Sequence, residues 1–527
     1  MSNITQYTSE TNHRYDMIAV GFCIITLIFA LYIGHFHKIG NFGVETDFYG
    51  AYAKQAENIL EGRPYTYQHN PPGYMLLLAA VSLFTSDFFV AAKIITAFAT
   101  ALFGWIIYLL FKSLFDHRIA LVSTIFSILA IIPYSFNAAT DIFGALLMIL
   151  PIWIFLRQSV HTFKMCFLAG VLSGVAYLVR YNAIFVIIGI VFSILFINLY
   201  QETIRRRLVR VGLFVCGAFL ISSPWLIINW ITNASPFAST AYAQIAGHFY
   251  HPAGGLFPMQ KAFKFNSFLD VVLYDPSMFL WKYLKDVLFW NLVKLTKNGL
   301  VFPANLFAGA GILFLIRNLN RRRIAFLVVC LIGYLMLGLV GFGFRYYFFL
   351  IPLLYLLPPY FLFQRYVFNM LGYIHFSKIP ISWLIVIIIS VFLSMSSYDK
   401  IRSNFASEPR HVFDIADLLR SRSSPRDGDI IIELKQHYSY YAGLKGAFPM
   451  AQTPDGYRNE TANDYIVKAR RIGARYIIYS DREARSWPSL KSFSDPKTVP
   501  NSLRLIYHHK PTNTLIYEID IRAKDNQ

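Results

Sequence analysis

The side chains able to do chemistry in this sequence are carboxylates and guanidiniums confined to a few short stretches. The first is "GVETDFYGAYAKQAENILEGRPYTYQHNPPGY", Gly43 to Tyr74, which follows directly on an apolar segment and carries Glu45 and Asp47. Acidic side chains beside a bilayer are costly and usually have a task. The others are Asp141 at the end of "YSFNAATD", Arg180 in "RYN", and Arg345 with Tyr346 in "GFRYY". Between Asp141 and Asp399 the acidic residues are Glu202, Asp270, Asp275 and Asp286, so Asp141 stands apart in a long apolar stretch. A positioned carboxylate can accept the proton of a hydroxyl nucleophile, worth typically ~10² to 10⁴ in rate. A guanidinium can hold two phosphate oxygens at once. Together these are what displacement of a phosphate from carbon requires.

The elements that must position these groups are membrane spans. Mean hydropathy is +0.46, with 56% hydrophobic and 15% charged residues, against about 25% charged in soluble proteins. The apolar blocks predict about eleven spans, at 17–34, 89–111, 119–133, 142–156, 165–181, 183–200, 211–231, 300–316, 324–341, 346–363 and 380–396. The net charge of +19 is mostly topology, because basic residues cluster in every second connection, as at Arg205, Arg206, Arg207 and Arg210 and at Arg317, Arg321, Arg322 and Arg323. By the positive-inside rule those connections and the N-terminus are cytoplasmic. The alternation requires that Pro71 to Thr85, too short to cross, form an interfacial or re-entrant helix capped by Asn70. The expected location is the cytoplasmic (inner) membrane, with the first apolar segment an anchor.

On that topology the chemistry-bearing residues all fall on the outer face, in 35–88, "YSFNAATD", "RYN", the loop 232–299, "GFRYY" and everything after about 397. Glu45 to Glu61 reads as an amphipathic helix, with Asp47, Ala51, Lys54, Asn58 and Glu61 on one face and Tyr49, Ala53, Ala56 and Leu60 on another. Asp47 in its first turn suits the helix dipole as well as it suits catalysis. Arg180, at a span end, fits a snorkelling anchor as well as a ligand. His248 and His251, and Lys261, Lys264, Lys282 and Lys285, have ordinary readings as loop chemistry and a solvated amphipathic helix. The four cysteines lie within apolar blocks, and no GxGxxG or P-loop pattern occurs. The charge therefore does not point to nucleic acid, and the short cytoplasmic loops leave no room for a nucleotide site.

The division expected is a transmembrane catalytic part, 1–396, with outer loops 35–88 and 232–299, and an extracytoplasmic α/β domain, 397–527. The tail alternates helix ("RHVFDIADLLRSR"), strand ("GDIIIEL"), an aromatic segment ("HYSYYAGL"), helix ("NDYIVKARRIG"), strand ("ARYIIYS") and two late strands. It lacks a catalytic constellation.

The ordered set of Asp47, Gly62, "PYTYQHN", "PPGY", "ATDIFGALL", "LVRYNAIF", "PWLIINWITNASPF" and "GFRYYFFLIPLL", over roughly 15–400, resembles the glycosyltransferase C superfamily. More narrowly it resembles the branch of lipid A aminoarabinose transferases and protein O-mannosyltransferases. The resemblance implies an α-helical polytopic membrane glycosyltransferase. Such an enzyme takes sugar from a polyprenyl-phosphate carrier and gives it to a glycan, lipid or protein acceptor. It implies Asp47 and Asp141 as the catalytic acidic residues, Arg345 and Tyr346 at the donor phosphate with Arg180 beside them, and Glu45, His69 and Tyr74 lining the cavity. Where aminoarabinose transferases carry Glu-Lys, this chain has His69 and Asn70, which leaves the sugar and a divalent metal open. A transporter of lipid-linked glycans and a polysaccharide polymerase are the competing readings.

Overall fold

The structure, a computed structural model, describes residues 2–527 apart from 67–68, 158–162, 200, 240, 251–264, 266, 342, 373–374, 377–378, 424–428, 434, 448–460, 487, 498 and 521–527. His251, Lys261 and Lys264 lie outside the described residues.

Every expected span falls on an apolar helix. Among the described residues six helices are long and apolar enough to cross a membrane, and a seventh crossing is made if the bent pair Phe344–Leu362 and Arg365–Leu371 counts as one. Asp141–Leu156, Phe163–Val179, Tyr181–Ile197 and Ala304–Arg317 are shorter apolar helices, as is Gly73–Thr85. The last begins later than expected. Its N-cap is Pro72, with no side-chain capping bond, while the Asn70 carbonyl instead accepts from the Tyr65 hydroxyl at 2.8 Å. A Cβ on Gly73 would lie 2.5 Å from the Leu178 carbonyl oxygen, so the glycine of "PPGY" lets this helix meet the end of Phe163–Val179 backbone to backbone.

The chain divides into two compact units, one of 1–38, 55–239 and 280–406, the other of 39–54, 240–279 and 407–527. The tail boundary expected at 397 falls inside the helix Ile381–Ala406, which continues past the end of its apolar run through the polar stretch 396–406. Residues 39–54 and 240–279, parts of the two loops expected on the outer face, fall in one unit with the tail.

In the helical unit, several basic residues of the connections have local partners. Arg210 pairs with Glu202 at 2.6 Å, Arg323 lies over Phe115 at 4.6 Å and Arg118 over Phe368 at 5.3 Å. Lys112 meets Asp16 at 2.7 Å.

The second unit is built on a five-stranded sheet. In chain order its strands are β1 (Ile430–Ile432), β2 (Lys445–Ala447), β3 (Ala474–Tyr479), β4 (Leu503–His509) and β5 (Thr514–Ile519), and their spatial order is β2-β1-β3-β5-β4. β1 runs parallel to β2 and β3, while β5 is antiparallel to β3 and β4. Alternation in β3 sends Tyr476 and Ile478 to one face and Ile477 and Tyr479 to the other. The helix His411–Arg422 covers the first face through Val412, Ile415 and Leu419, and Ala462–Arg471 covers the second through Tyr465, Ile466 and Ala469. This is the α/β layer fold the tail sequence predicts, with β2 added. Ile39 and Phe42 join the core beneath His411–Arg422.

Candidate active site

In the helical unit the site grows from the helix Asp141–Leu156. The segment before it is pinned from the neighbouring helix Phe88–Leu114, where the Thr96 hydroxyl donates to the Asn137 carbonyl at 2.8 Å. Asp141 then stands in the first helical turn, 7% exposed, where a carboxylate suits the helix dipole. Arg180 follows the last residue of Phe163–Val179 in extended backbone, φ −148° and ψ 125°, which turns its side chain back across the helix that starts at Asp141. Its guanidinium meets the Asp141 carboxylate at 2.5 Å and the Thr140 hydroxyl at 3.3 Å.

The approach depends on Gly144, one turn along. A Cβ there would come within 2.6 Å of Arg180 Cδ. The glycine of "ATDIFGALL" thus leaves the channel through which Arg180 reaches the acid. Arg345, in the short helix Phe344–Leu350, brings Nη1 to 3.8 Å from the other Asp141 oxygen. Between the arginines lies the Tyr346 ring, 5.5 Å from the Arg180 guanidinium carbon and 5.3 Å from that of Arg345. Four of the residues expected from the sequence therefore converge, although they come from three separate connections. Arg180 is more than an interfacial anchor, since a snorkelling side chain has no need of a buried carboxylate.

The "RYN" corner is braced further. The Trp225 indole donates to the Tyr181 hydroxyl at 3.0 Å, and Tyr65 packs edge-on against Trp225 at 5.3 Å. "PYTYQHN", "RYN" and "PWLIINW" are thereby tied together. Tyr74 is fully buried and its ring lies 6.3 Å from that of Phe143, while His69 sits half-buried in the turn before the helix.

Glu45 and Asp47 belong to the second unit, and the segment that carries them is tightly built. Glu45 is fully buried and accepts from the Asn41 amide at 3.0 Å, and Asn41 Oδ1 accepts from the Gly43 and Val44 amides at 2.8 and 3.0 Å. Asp47 precedes a π-helical turn, Phe48–Tyr52, and its side chain makes no capping hydrogen bond. The simple first-turn cap is therefore not what Asp47 does. The expected amphipathic faces survive in part: Tyr49, Ala53 and Ala56 are buried, but so are Ala51 and Asn58, because the wide turn at 48–52 rotates the register before the α-helix Ala53–Leu60 begins.

Sequence reasoning missed what holds this segment. His437 Nε2 donates to the Gly40 carbonyl at 3.0 Å, and the Gly40 amide donates to the Tyr49 hydroxyl at 2.7 Å. The Tyr49 ring stacks on His437 at 4.0 Å and its hydroxyl shares a bond with that of Tyr441 at 3.1 Å. Burial drives His437 down to about 3, so the ring is neutral. Burial likewise pushes the Tyr49 phenol far above its usual range. Glu433, itself buried, caps the helix His437–Ala442 by accepting from the Tyr438 and Ser439 amides at 3.0 and 2.9 Å. The aromatic run "HYSYYAGL" was the available signal. Elsewhere in this unit His248 lies on the helix Ala241–Tyr250. Lys282 and Lys285, on Pro276–Lys285, belong to the helical unit. Among the described residues no group of three or more His, Cys, Asp or Glu is gathered as a metal site would need.

A family model, dolichyl-phosphate-mannose-protein mannosyltransferase, matches residues 69–228, which include Asp141 and Arg180. The fold is that of two kinds of solved enzyme. ArnT from Cupriavidus metallidurans, solved with undecaprenyl phosphate bound, superposes with a TM-score of 0.59 at 13% identity, covering 96% of this chain and 98% of ArnT. The oligosaccharyltransferase AglB from Archaeoglobus fulgidus, solved with an inhibitory peptide and a dolichol-phosphate, gives 0.57 at 12% identity, covering 91% of this chain and 74% of AglB. No curated protein sequence matches. The expected helical membrane fold with a C-terminal α/β domain is borne out apart from its number of spans, and the family match and the two folds agree with the resemblance to the glycosyltransferase C superfamily and with the expectation of a membrane glycosyltransferase.

Proposed function

We propose that this chain transfers a sugar from a polyprenyl-phosphate donor to an acceptor hydroxyl at the outer face of the cytoplasmic membrane. The observation that carries the reading is the convergence of Arg180, Arg345 and Tyr346 on Asp141 within a multi-pass membrane fold. In the reaction the bond between the anomeric carbon and the phosphate oxygen breaks and the bond to the acceptor oxygen forms. The acceptor's proton goes to a carboxylate, and the carrier leaves as polyprenyl phosphate. A sugar-linked phosphate carries one negative charge, and the departing monoester approaches two. Two guanidiniums against one carboxylate leave the cluster at net +1, so it attracts the departing group more strongly than the bound donor. That difference is what lowers a barrier.

Asp141 is a poor candidate for the base. A carboxylate 2.5 Å from a guanidinium would forfeit that pairing on taking a proton. Its part is to hold the two arginines and keep them apart. The proton acceptor we assign is Asp47, on the strength of its place in the first-loop motif. His69 and Tyr74 are assigned to the wall of the substrate cavity, and Glu45 to shaping the loop from Asn41 to Val44.

The test is incubation of the purified protein with a polyprenyl monophosphate sugar and candidate acceptors. Transfer of one sugar with release of an equal amount of polyprenyl phosphate is expected. A requirement for a diphosphate-linked oligosaccharide would make the protein a polymerase. Movement of intact donor without release would make it a transporter.

A further inference from the structure

The helical unit holds a second polar recess that the transfer chemistry does not use. A cavity of about 920 Å³ opens beside Tyr134 and Phe344, and Thr296, Lys297, Asn305 and Lys400 supply its polar groups. It adjoins the arginine cluster: Phe344 precedes Arg345, and Tyr134 lies near enough to Asp141 for their charges to interact. Lys400 belongs to the helix Ile381–Ala406, is half-buried, and stands 5.9 Å from the centre of the Phe344 ring. No salt bridge is formed by Lys297 or Lys400 among the described residues. Lys297 is exposed, but the half-buried Lys400 ammonium is drawn partly from water without a counter-charge, which is costly and calls for an anion supplied from outside.

The walls say what kind of anion. A second recess of about 530 Å³ shares Val301, Phe302, Ser396 and Lys400 with the first and adds Phe392 and Met395. Phe302, Phe392 and Met395 are 55%, 42% and 60% exposed, and the last two lie on a helix long and apolar enough to cross a membrane. Asp399 lines only this second recess. Two cations with hydroxyl and amide groups at one end and an exposed apolar wall at the other form an amphiphile's outline, which a small soluble anion would leave half unfilled.

We propose that this cleft binds a second lipid through its phosphate, between Lys297 and Lys400, with its chain along Phe302, Phe392 and Met395. The inference rests on the membrane-transferase reading for why a lipid should arrive beside the arginine cluster. The phosphate has two sources, a polyprenyl carrier or a diacyl lipid of the bilayer.

Native mass spectrometry of the delipidated full chain tests it, with polyprenyl monophosphate, phosphatidylglycerol and uncharged polyprenol as probes. In an Arg345→Ala background the protein should still retain one anionic lipid and not the polyprenol. Adding Lys297→Gln and Lys400→Gln should then lower its apparent affinity roughly tenfold or more, as expected for losing charge-assisted contacts, while Lys400→Arg in place of the glutamine keeps it. Tighter retention of polyprenyl phosphate assigns the cleft to a carrier, and tighter retention of phosphatidylglycerol to a bilayer lipid; either supports the site. Unchanged lipid binding in the lysine variants, with the protein still monodisperse, overturns it. Failure of the transfer reading has a different signature: donor turnover indifferent to Arg345, with the lysine effect intact.

Discussion

The segment Ile39–Lys54 and the Asp141 cluster each present an acidic residue, and they do so by opposite means. Asp141 is gripped directly by guanidinium groups at 2.5 and 3.8 Å. Asp47 is placed indirectly, by a backbone tied down on either side of it. Glu45 closes the loop at Asn41, while Tyr49 and His437 both fasten Gly40. A carboxylate locked into two ion pairs has its charge spoken for, whereas Asp47 is positioned by the backbone on either side of it. The contrast argues for a phosphate-holding role at the Asp141 cluster and for proton transfer at Asp47. It also gives the α/β domain a task, since the groups fastening Gly40 come in part from its helix His437–Ala442.

The largest effect that would break this contrast is at Arg345. Arg345→Ala should reduce transfer by about 10² to 10³, the usual range for removing a donor to developing charge. Arg345→Lys, which keeps charge and loses the fork, should fall between the parent and the alanine variant. Donor titrations check both; near-parent affinity and turnover in both variants would reduce Arg345 to an anchor.

A smaller effect is expected at Gly144. Gly144→Ala puts a methyl group where Arg180 Cδ lies and should displace that guanidinium, raising the donor KM by roughly tenfold with the fold retained. Because it acts through Arg180, its effect and that of Arg180→Lys should combine to less than their sum. Full additivity in the double variant would show that the close approach does not serve the arginine.

The smallest effect sharpens the other side. His437 is neutral when folded, with burial the chief cause and Arg482 and Lys435 adding repulsion, and it titrates near 3. The unfolded chain takes up this proton near 6.5. The contribution is thus fully present above about pH 6.5 and is lost progressively as pH falls toward 3. His437→Gln should remove up to about one proton from the acid slope of stability, or about 1.4 kcal/mol per pH unit, while activity at neutral pH changes little. Thermal melts between pH 7 and 4.5 measure this. An unaltered slope would mean that His437 does not carry the acid sensitivity.

Much of this was readable before any coordinates. Apolar blocks with alternating basic connections located the helices, and Asp141, Arg180, Arg345 and Tyr346 were each marked by being polar where little else is. Their pairing was less accessible. Asp141 and Arg180 are 39 positions apart, and what allows them to meet is an unremarked glycine one turn from the acid. The hold of His437 on Gly40 spans 397 positions, and the aromatic run that carries His437 marked the segment without marking its partner. Hydrophobic patterning reports which face of an element is covered, but not by what. The π-turn at Phe48–Tyr52 escaped for a related reason, since a wide turn changes register without changing composition.

The most direct measurement is turnover of a polyprenyl-phosphate sugar by the parent and by Asp47→Asn, an isosteric change that removes a base and leaves the backbone ties untouched. The account predicts stoichiometric release of polyprenyl phosphate by the parent and a loss of at least about 10² in the variant at an unchanged melting temperature. An Asp47→Asn protein that transfers sugar at nearly the parent rate would contradict it.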